Sequence, residues 1–196
     1  MAISALDALL RRLYHVQEFT QEEDCILRLA PGRSDREITL SDGTRVARGE
    51  AIGILHFWNE HIPLMPIEGP DLGWGIKFYR QLLKSLQALA VYVESEPQFK
   101  ELRAFRGETA FVFTEGLEQY ERVFGRLGFD FVARDESAGK MKHFGEFWEN
   151  FYVWALIWAF NPGSLRGKDL FRLQRCQIWI SRQVLLERYG SNHEEG

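Results

Sequence analysis

The stretch "IGILHFWNEHIPLMP", residues 52–66, brings His56, Asn59, Glu60 and His61 close together in the chain. Imidazoles and a carboxylate at such spacing can take a proton from a reacting group or ligate a metal ion. In a continuing strand, side chains alternate, so His56, Trp58 and Glu60 fall on one face and Phe57, Asn59 and His61 on the other. The two histidines then diverge. In a helix, His56, Asn59 and Glu60 share a face, but the order His-x-x-x-Glu-His matches neither His-Glu-x-x-His nor His-x-x-Glu-His. No third ligand lies nearby, so no metal is expected and a metal-dependent hydrolase on His56, Glu60 and His61 is set aside. Two readings remain: His56 or Glu60 as a general base in a cleft at a strand end, or a hydrogen-bonded core histidine beside solvated neighbours.

A second candidate is "EGPDLGWG", residues 68–75, just before a long helical pattern. Glycines at 69, 73 and 75 leave the backbone open, so the amides of Leu72, Gly73, Trp74 and Gly75 with the helix dipole could hold a phosphate. The plainer alternative is a Gly/Pro turn. The third is the aromatic segment "FWENFYVWALIWAF", residues 147–160. Its fourteen residues fall short of the roughly 20 that cross a bilayer. It reads either as a helix buried nearly all round, or as a greasy wall for an acyl chain or a peripheral membrane contact. Lys140, Lys142, Arg166 and Lys168 on either side favour the membrane contact.

The elements that must position these residues follow from periodicity. Ile3, Leu6, Leu9, Leu10 and Leu13 recur at helical spacing, which predicts an amphipathic first helix in place of a signal peptide. "CILRLAPG" is an apolar run that Pro31-Gly32 is expected to stop, and "EITLSDGTRVARGEAIGILHFW" predicts a hairpin around Asp42-Gly43. A helix is predicted over 74–94 from Ile76, Tyr79, Leu82, Leu83, Leu86, Leu89, Ala90 and Val93. Next come a strand at "ETAFVF", a helix with Leu117, Tyr120, Val123, Phe124 and Leu127 on one face, and a strand at "FDFVA". The chain closes with a strand at 177–180, Ser181 as N-cap and a helix over 182–189 ended by Gly190. Strands and helices in this succession predict an α+β (mixed α/β) fold: one largely antiparallel central sheet flanked by helices.

Length and charge narrow the class. A chain of 196 residues suits one domain, here 1–190 with a mobile tail at 191–196. Lys and Arg total 24 against 28 Asp and Glu, so no global charge excess invites nucleic acid. Cys25 and Cys176 are far apart and form no Cys-x-x-Cys motif, which fits a reducing cytoplasm and small buried thiols.

Taken together, "ITLSDGTRVARGEAIGILHFWNEH", "LQALAVYV", "VFGRLGFDFV" and "QIWISRQVLLERYG" resemble the YkoP-like domain family over most of residues 26–190. That resemblance implies no settled reaction. It implies domains that occur alone or appended to polysaccharide deacetylases, and so a link to envelope polysaccharide or glycolipid chemistry. The order of elements is also similar to the GNAT acetyltransferase fold, in which a strand leads to a Gly-rich loop and helix that hold the pyrophosphate of acyl-CoA. The GNAT resemblance implies an acyl-CoA co-substrate, with Leu72, Gly73, Trp74 and Gly75 as its binding backbone. The chain departs from that pattern at Pro70, where Gln or Arg is usual, and at Phe124, which replaces the tyrosine that protonates the leaving thiolate. Tyr120, one turn earlier, is the substitute acid.

The expectation is therefore an acyl-CoA-dependent acyltransferase acting on an amine or hydroxyl of a small-molecule, lipid- or sugar-like acceptor. His56 or Glu60 would serve as base and Tyr120 as acid. The alternative is a non-catalytic accessory or ligand-binding module.

Overall fold

The computed structural model describes residues 16–58, 60–66, 68, 71–112, 122, 124–133 and 173–191. The expected first helix, Tyr120, the aromatic segment 147–160 and the tail beyond residue 191 lie outside them. Seven strands are present: β1 (Leu27–Arg33), β2 (Ile38–Thr39), β3 (Arg45–Val46), β4 (Ala51–Phe57), β5 (Ala104–Val112), β6 (Asp130–Ala133) and β7 (Leu173–Ser181). The helices α1 (Leu72–Ser95) and α2 (Arg182–Tyr189), helical residues at 122 and 124–126, and a 3-10 turn at Pro97–Phe99 accompany them among the described residues. The fold is α+β. Its main sheet has five strands in the order β1-β4-β5-β7-β6, antiparallel throughout except for the parallel pair β4–β5 that α1 connects.

The expected hairpin forms as the small β2–β3 sheet. Its tip is tightened by Gly43 N–H donating to Leu40 O at 2.9 Å, with Gly43 at φ +86°, a conformation that costs glycine little. One boundary differs from expectation. Pro31-Gly32 does not stop the first run: β1 continues through both to Arg33, pairing Pro31 with Gly53. β1 is the outermost strand of this sheet, bridged on its outer side by Gln17 at Leu29, and at Pro31 that edge tolerates a residue with no N–H to donate.

Helix α1 begins at Asp71, whose carboxylate accepts from Trp74 N–H, and buries Leu82, Leu86, Leu89, Ala90 and Val93. Ile76 and Tyr79, expected on the apolar face, are exposed, while Phe78 between them packs on Phe57 of β4 and takes the core-facing place in these turns. Ser85 is buried and ties α1 to β1, accepting from Ile26 N–H at 2.8 Å and donating to Gln81 O at 2.7 Å. Ser181 caps α2 through Val184 N–H, as its place in the sequence predicts.

Both α-helices pack on one face of the sheet. Leu27, Leu29, Leu55, Phe105, Ile178 and Ile180 meet α1 and Leu185 of α2 there in one apolar cluster. Gly53 lies directly beside Phe105 in the parallel pair, and a Cβ at that position would overlap the Phe105 ring. The opposite face carries a smaller cluster of Leu40, Val46, Ile52, Ala104 and Trp179 beneath the hairpin. Ile54 and Val132 extend that cluster, and Arg28, His56, Arg106, Glu108 and Gln177 of the same face form a polar row beside it.

Candidate functional site

The β4–β5 ladder is short. It pairs Gly53 with Phe105, Ile54 with Arg106 and Leu55 with Gly107, then ends, although β4 runs on to Phe57 and β5 to Val112. Beyond that point β4 follows β1: Leu27 pairs with Phe57, and Trp58 N–H donates to Ile26 O at 2.8 Å. β5 follows β7 as far as the Val112–Leu173 pair. The sheet is thus unzipped at the carboxyl ends of its one parallel pair, where open sheets with parallel strands commonly receive ligands.

His56 stands at this opening, on the polar face and directly across from Arg28. Its ring keeps solvent-accessible area yet sits among enough protein for desolvation to lower its pKa below the ordinary imidazole value. Glu108 opposes that shift, while Arg106 and Arg28 add to it. The net result is an imidazole that is neutral near pH 7 and able to accept a proton.

The polar face around His56 is knitted by ion pairs. Arg106 Nη1 lies 3.1 Å from Asp35 Oδ1 and its Nη2 lies 3.8 Å from Glu108 Oε1. Burial alone would raise the Asp35 pKa, but Arg106, Arg36 and a hydrogen bond from Gln177 outweigh it and hold the carboxyl below its usual range. Buried Gln177 reaches Asp35 Oδ2 at 3.4 Å and accepts from the Trp179 indole at 3.4 Å. Arg28, Asp35, Arg106, Glu108 and Gln177 were not among the residues singled out from sequence. The available signal was a polar residue at every second position of otherwise apolar strands, as in "ILRLA" and "AFRGE".

Glu60 and His61 do not join His56 as a catalytic set. The strand ends at Phe57, and a turn follows in which His61 N–H donates to Trp58 O at 2.9 Å. This turn stacks the His61 ring on Trp58 at 3.8 Å and brings His61 Nδ1 to 2.9 Å from Cys25 O. On the Trp58 indole also rests the Arg28 guanidinium, 4.3 Å from the ring centroid. Arg28 pairs with Glu18 at 3.2 Å and with Glu60 at 3.6 Å. Glu60 is thereby committed to a cation and His61 to a backbone carbonyl. Among the described residues no group of three or more His, Cys, Asp or Glu could hold a metal ion.

At the start of α1, Asp71 Oδ1 accepts from Trp74 N–H at 2.6 Å and Asp71 O accepts from Gly75 N–H at 3.0 Å. The amides of Leu72 and Gly73 make no hydrogen bond among the described residues, so they are the donors available to an anion there. The Trp74 indole donates to Pro63 O at 2.8 Å and stacks on Phe78 at 5.2 Å, fixing the loop after Glu60 against the helix. Leu72, Ile76 and Tyr79 lie exposed along the same stretch. Phe124 is buried, edge-on to Phe129 at 5.9 Å and to Phe131 at 5.8 Å, so its position serves the core.

These features describe an α+β protein whose mixed sheet has helices on one face and an ion-paired polar row on the other. The chain belongs to the YkoP domain family, whose model matches residues 1–189. No curated protein and no solved structure matches it. Among the described residues no helix is long and apolar enough to cross a membrane.

Proposed function

We propose that the protein is an acyl-CoA-dependent acyltransferase acting on an amine or hydroxyl of a lipid- or sugar-like acceptor. The observation that carries this reading is the opening of the β4–β5 ladder beside His56, with α1 leaving the same strand end. The sheet order, the single parallel pair and the crossing helix are features the reading shares with the GNAT fold.

In this mechanism His56 removes a proton from the acceptor ammonium or hydroxyl, whose lone pair then attacks the thioester carbonyl. The carbon–sulfur bond breaks and the thiolate departs, taking a proton from an acid, for which Tyr120 is the candidate. His56 is preferred to Glu60 as the base because its ring is held in the neutral, proton-accepting form at the opening, whereas Glu60 is held by Arg28. The free amides of Leu72 and Gly73, with that of Trp74 once the Asp71 carboxylate yields its place there, would meet the pyrophosphate. The aromatic segment 147–160 would favour a long or bulky acyl group and a peripheral position on the cytoplasmic membrane face.

A second reading, a non-catalytic ligand-binding module of envelope polysaccharide or glycolipid metabolism, is favoured by two observations. Asp71 already covers the α1 terminus, and Phe124 offers no proton.

Thermal shift with CoA and acyl-CoAs of increasing length, followed by turnover assays, tests both. A ligand in excess raises the midpoint by mass action. In a transferase, His56→Ala lowers kcat by about 100-fold or more with CoA affinity retained. No shift with any CoA rejects the transferase; a shift without turnover selects the accessory module.

A further inference from the structure

At the end of β5 remote from the β4–β5 opening, the described residues form a second concavity. A groove of about 770 Å³ lies between the tip of the β2–β3 hairpin, the segment entering β5 and the start of α2. Its charged lining is Arg45, Lys100, Arg103 and Arg182 against Glu101 and Glu187. Four cations facing two carboxylates form a positive focus on a chain whose net charge is −4.

The carboxylates present leave it incompletely neutralised. Arg103 alone among the four has an acidic partner, Glu50, at 3.5 Å, and it also donates to Arg45 O at 3.5 Å. Among the described residues Arg45, Lys100 and Arg182 make no ion pair. Glu187 keeps its charge while accepting from Gln183 Nε2 at 2.8 Å, and Asp42 at the hairpin tip accepts from Thr44 and lies against Ser181, so the carboxylates offset the positive focus in part. Arg182 is held in place: its amide donates to Arg103 O at 2.8 Å and its Nη2 to Val93 O at 3.3 Å. Like charges gathered in a concavity raise the local concentration of an oppositely charged ligand, and guanidinium groups suit the oxygens of a phosphate.

We propose that this groove binds a phosphate-bearing anion, either a free phosphorylated small molecule or a phospholipid headgroup. The inference does not depend on acyl transfer, because the groove shares no residue with the β4–β5 opening. Pyrophosphate is the soluble probe, followed by calorimetry; phosphatidylcholine vesicles with and without phosphatidate, followed by co-sedimentation, probe the headgroup source. Arg45→Gln and Lys100→Gln change exposed side chains that make no ion pair among the described residues, so both variants should fold normally. Each should weaken pyrophosphate binding by about tenfold, and rising salt should weaken it further. Binding to phosphatidate vesicles alone, lost in the same two variants, also sustains the groove and names the headgroup as its ligand. Binding to neither probe, or binding that Arg45→Gln and Lys100→Gln leave intact, overturns the proposal.

Discussion

The two faces of the five-stranded sheet are made from alternate residues of the same strands, yet they do different work. On one, Leu27, Leu29, Leu55, Phe105, Ile178 and Ile180 are closed off by α1 and α2. On the other, their immediate neighbours Arg28, His56, Arg106, Gln177 and Trp179 form a row of ion pairs and ring contacts. Apolar burial needs no particular partner geometry, so the helix face can be continuous. Buried charges must each find a partner, so the polar face is a set of local solutions: Arg28 with Glu18 and Glu60, Arg106 with Asp35 and Glu108. Stability should therefore reside mainly on the helix face and ligand chemistry on the polar one.

Three variants put that division to the test. The largest effect belongs to Leu86→Ala, which opens a cavity beneath the centre of α1 where Leu86 is fully buried. It should cost about 2–5 kcal/mol in urea unfolding; a loss below about 1 kcal/mol would mean that α1 does not carry the core. Tyr189→Phe is next. Burial pushes the Tyr189 pKa from 10.0 up to about 12, and its hydroxyl donates to Leu127 O at 3.0 Å. Losing that bond should cost about 1 kcal/mol at neutral pH. Between these two pKa values the unfolded chain has released the phenol proton and the folded chain has not, so wild-type stability falls as pH rises through the window. Tyr189→Phe should flatten that alkaline decline, and an unchanged slope would remove Tyr189 as its source.

The smallest effect is expected on the polar face. His56 has a lowered pKa in the fold, so below the ordinary imidazole value the unfolded chain binds a proton that the folded chain does not. Stability should slip as pH falls through that range, and His56→Gln should remove the slip while leaving neutral-pH stability nearly unchanged. If His56→Gln proves as damaging at neutral pH as Leu86→Ala, the two faces are not divided as described.

Legibility in the sequence tracked how local each feature is. The hairpin at Asp42-Gly43, the long helix, the Ser181 cap and the closing strand and helix depend on neighbours a few residues away, and each can be read directly. The stop expected at Pro31-Gly32 failed because a proline breaks a strand only when its N–H is needed, and an edge position removes that need. Ile76 and Tyr79 fit the helical period but are exposed, because in those turns Phe78 makes the contact with β4. At the site, His56 could be singled out as a strand-end histidine, whereas the partners that set its charge could not. Arg28 precedes it by half a sheet of chain, and Arg106 and Glu108 follow only after α1.

Composition, periodicity and turn chemistry by themselves determined that this chain makes an α+β sheet protein with a hairpin, a long amphipathic helix and a capped C-terminal helix. They also marked His56 and the glycines before α1 as places where chemistry could occur. Tertiary structure alone decided that Glu60 would pair with Arg28, that His61 would turn onto Trp58, and that the β4–β5 ladder would end at Leu55 and Gly107. The physical reason is range. Helix period and turn geometry act over a few residues, whereas strand register and charge pairing join residues whose separation along the chain carries no signal of their contact.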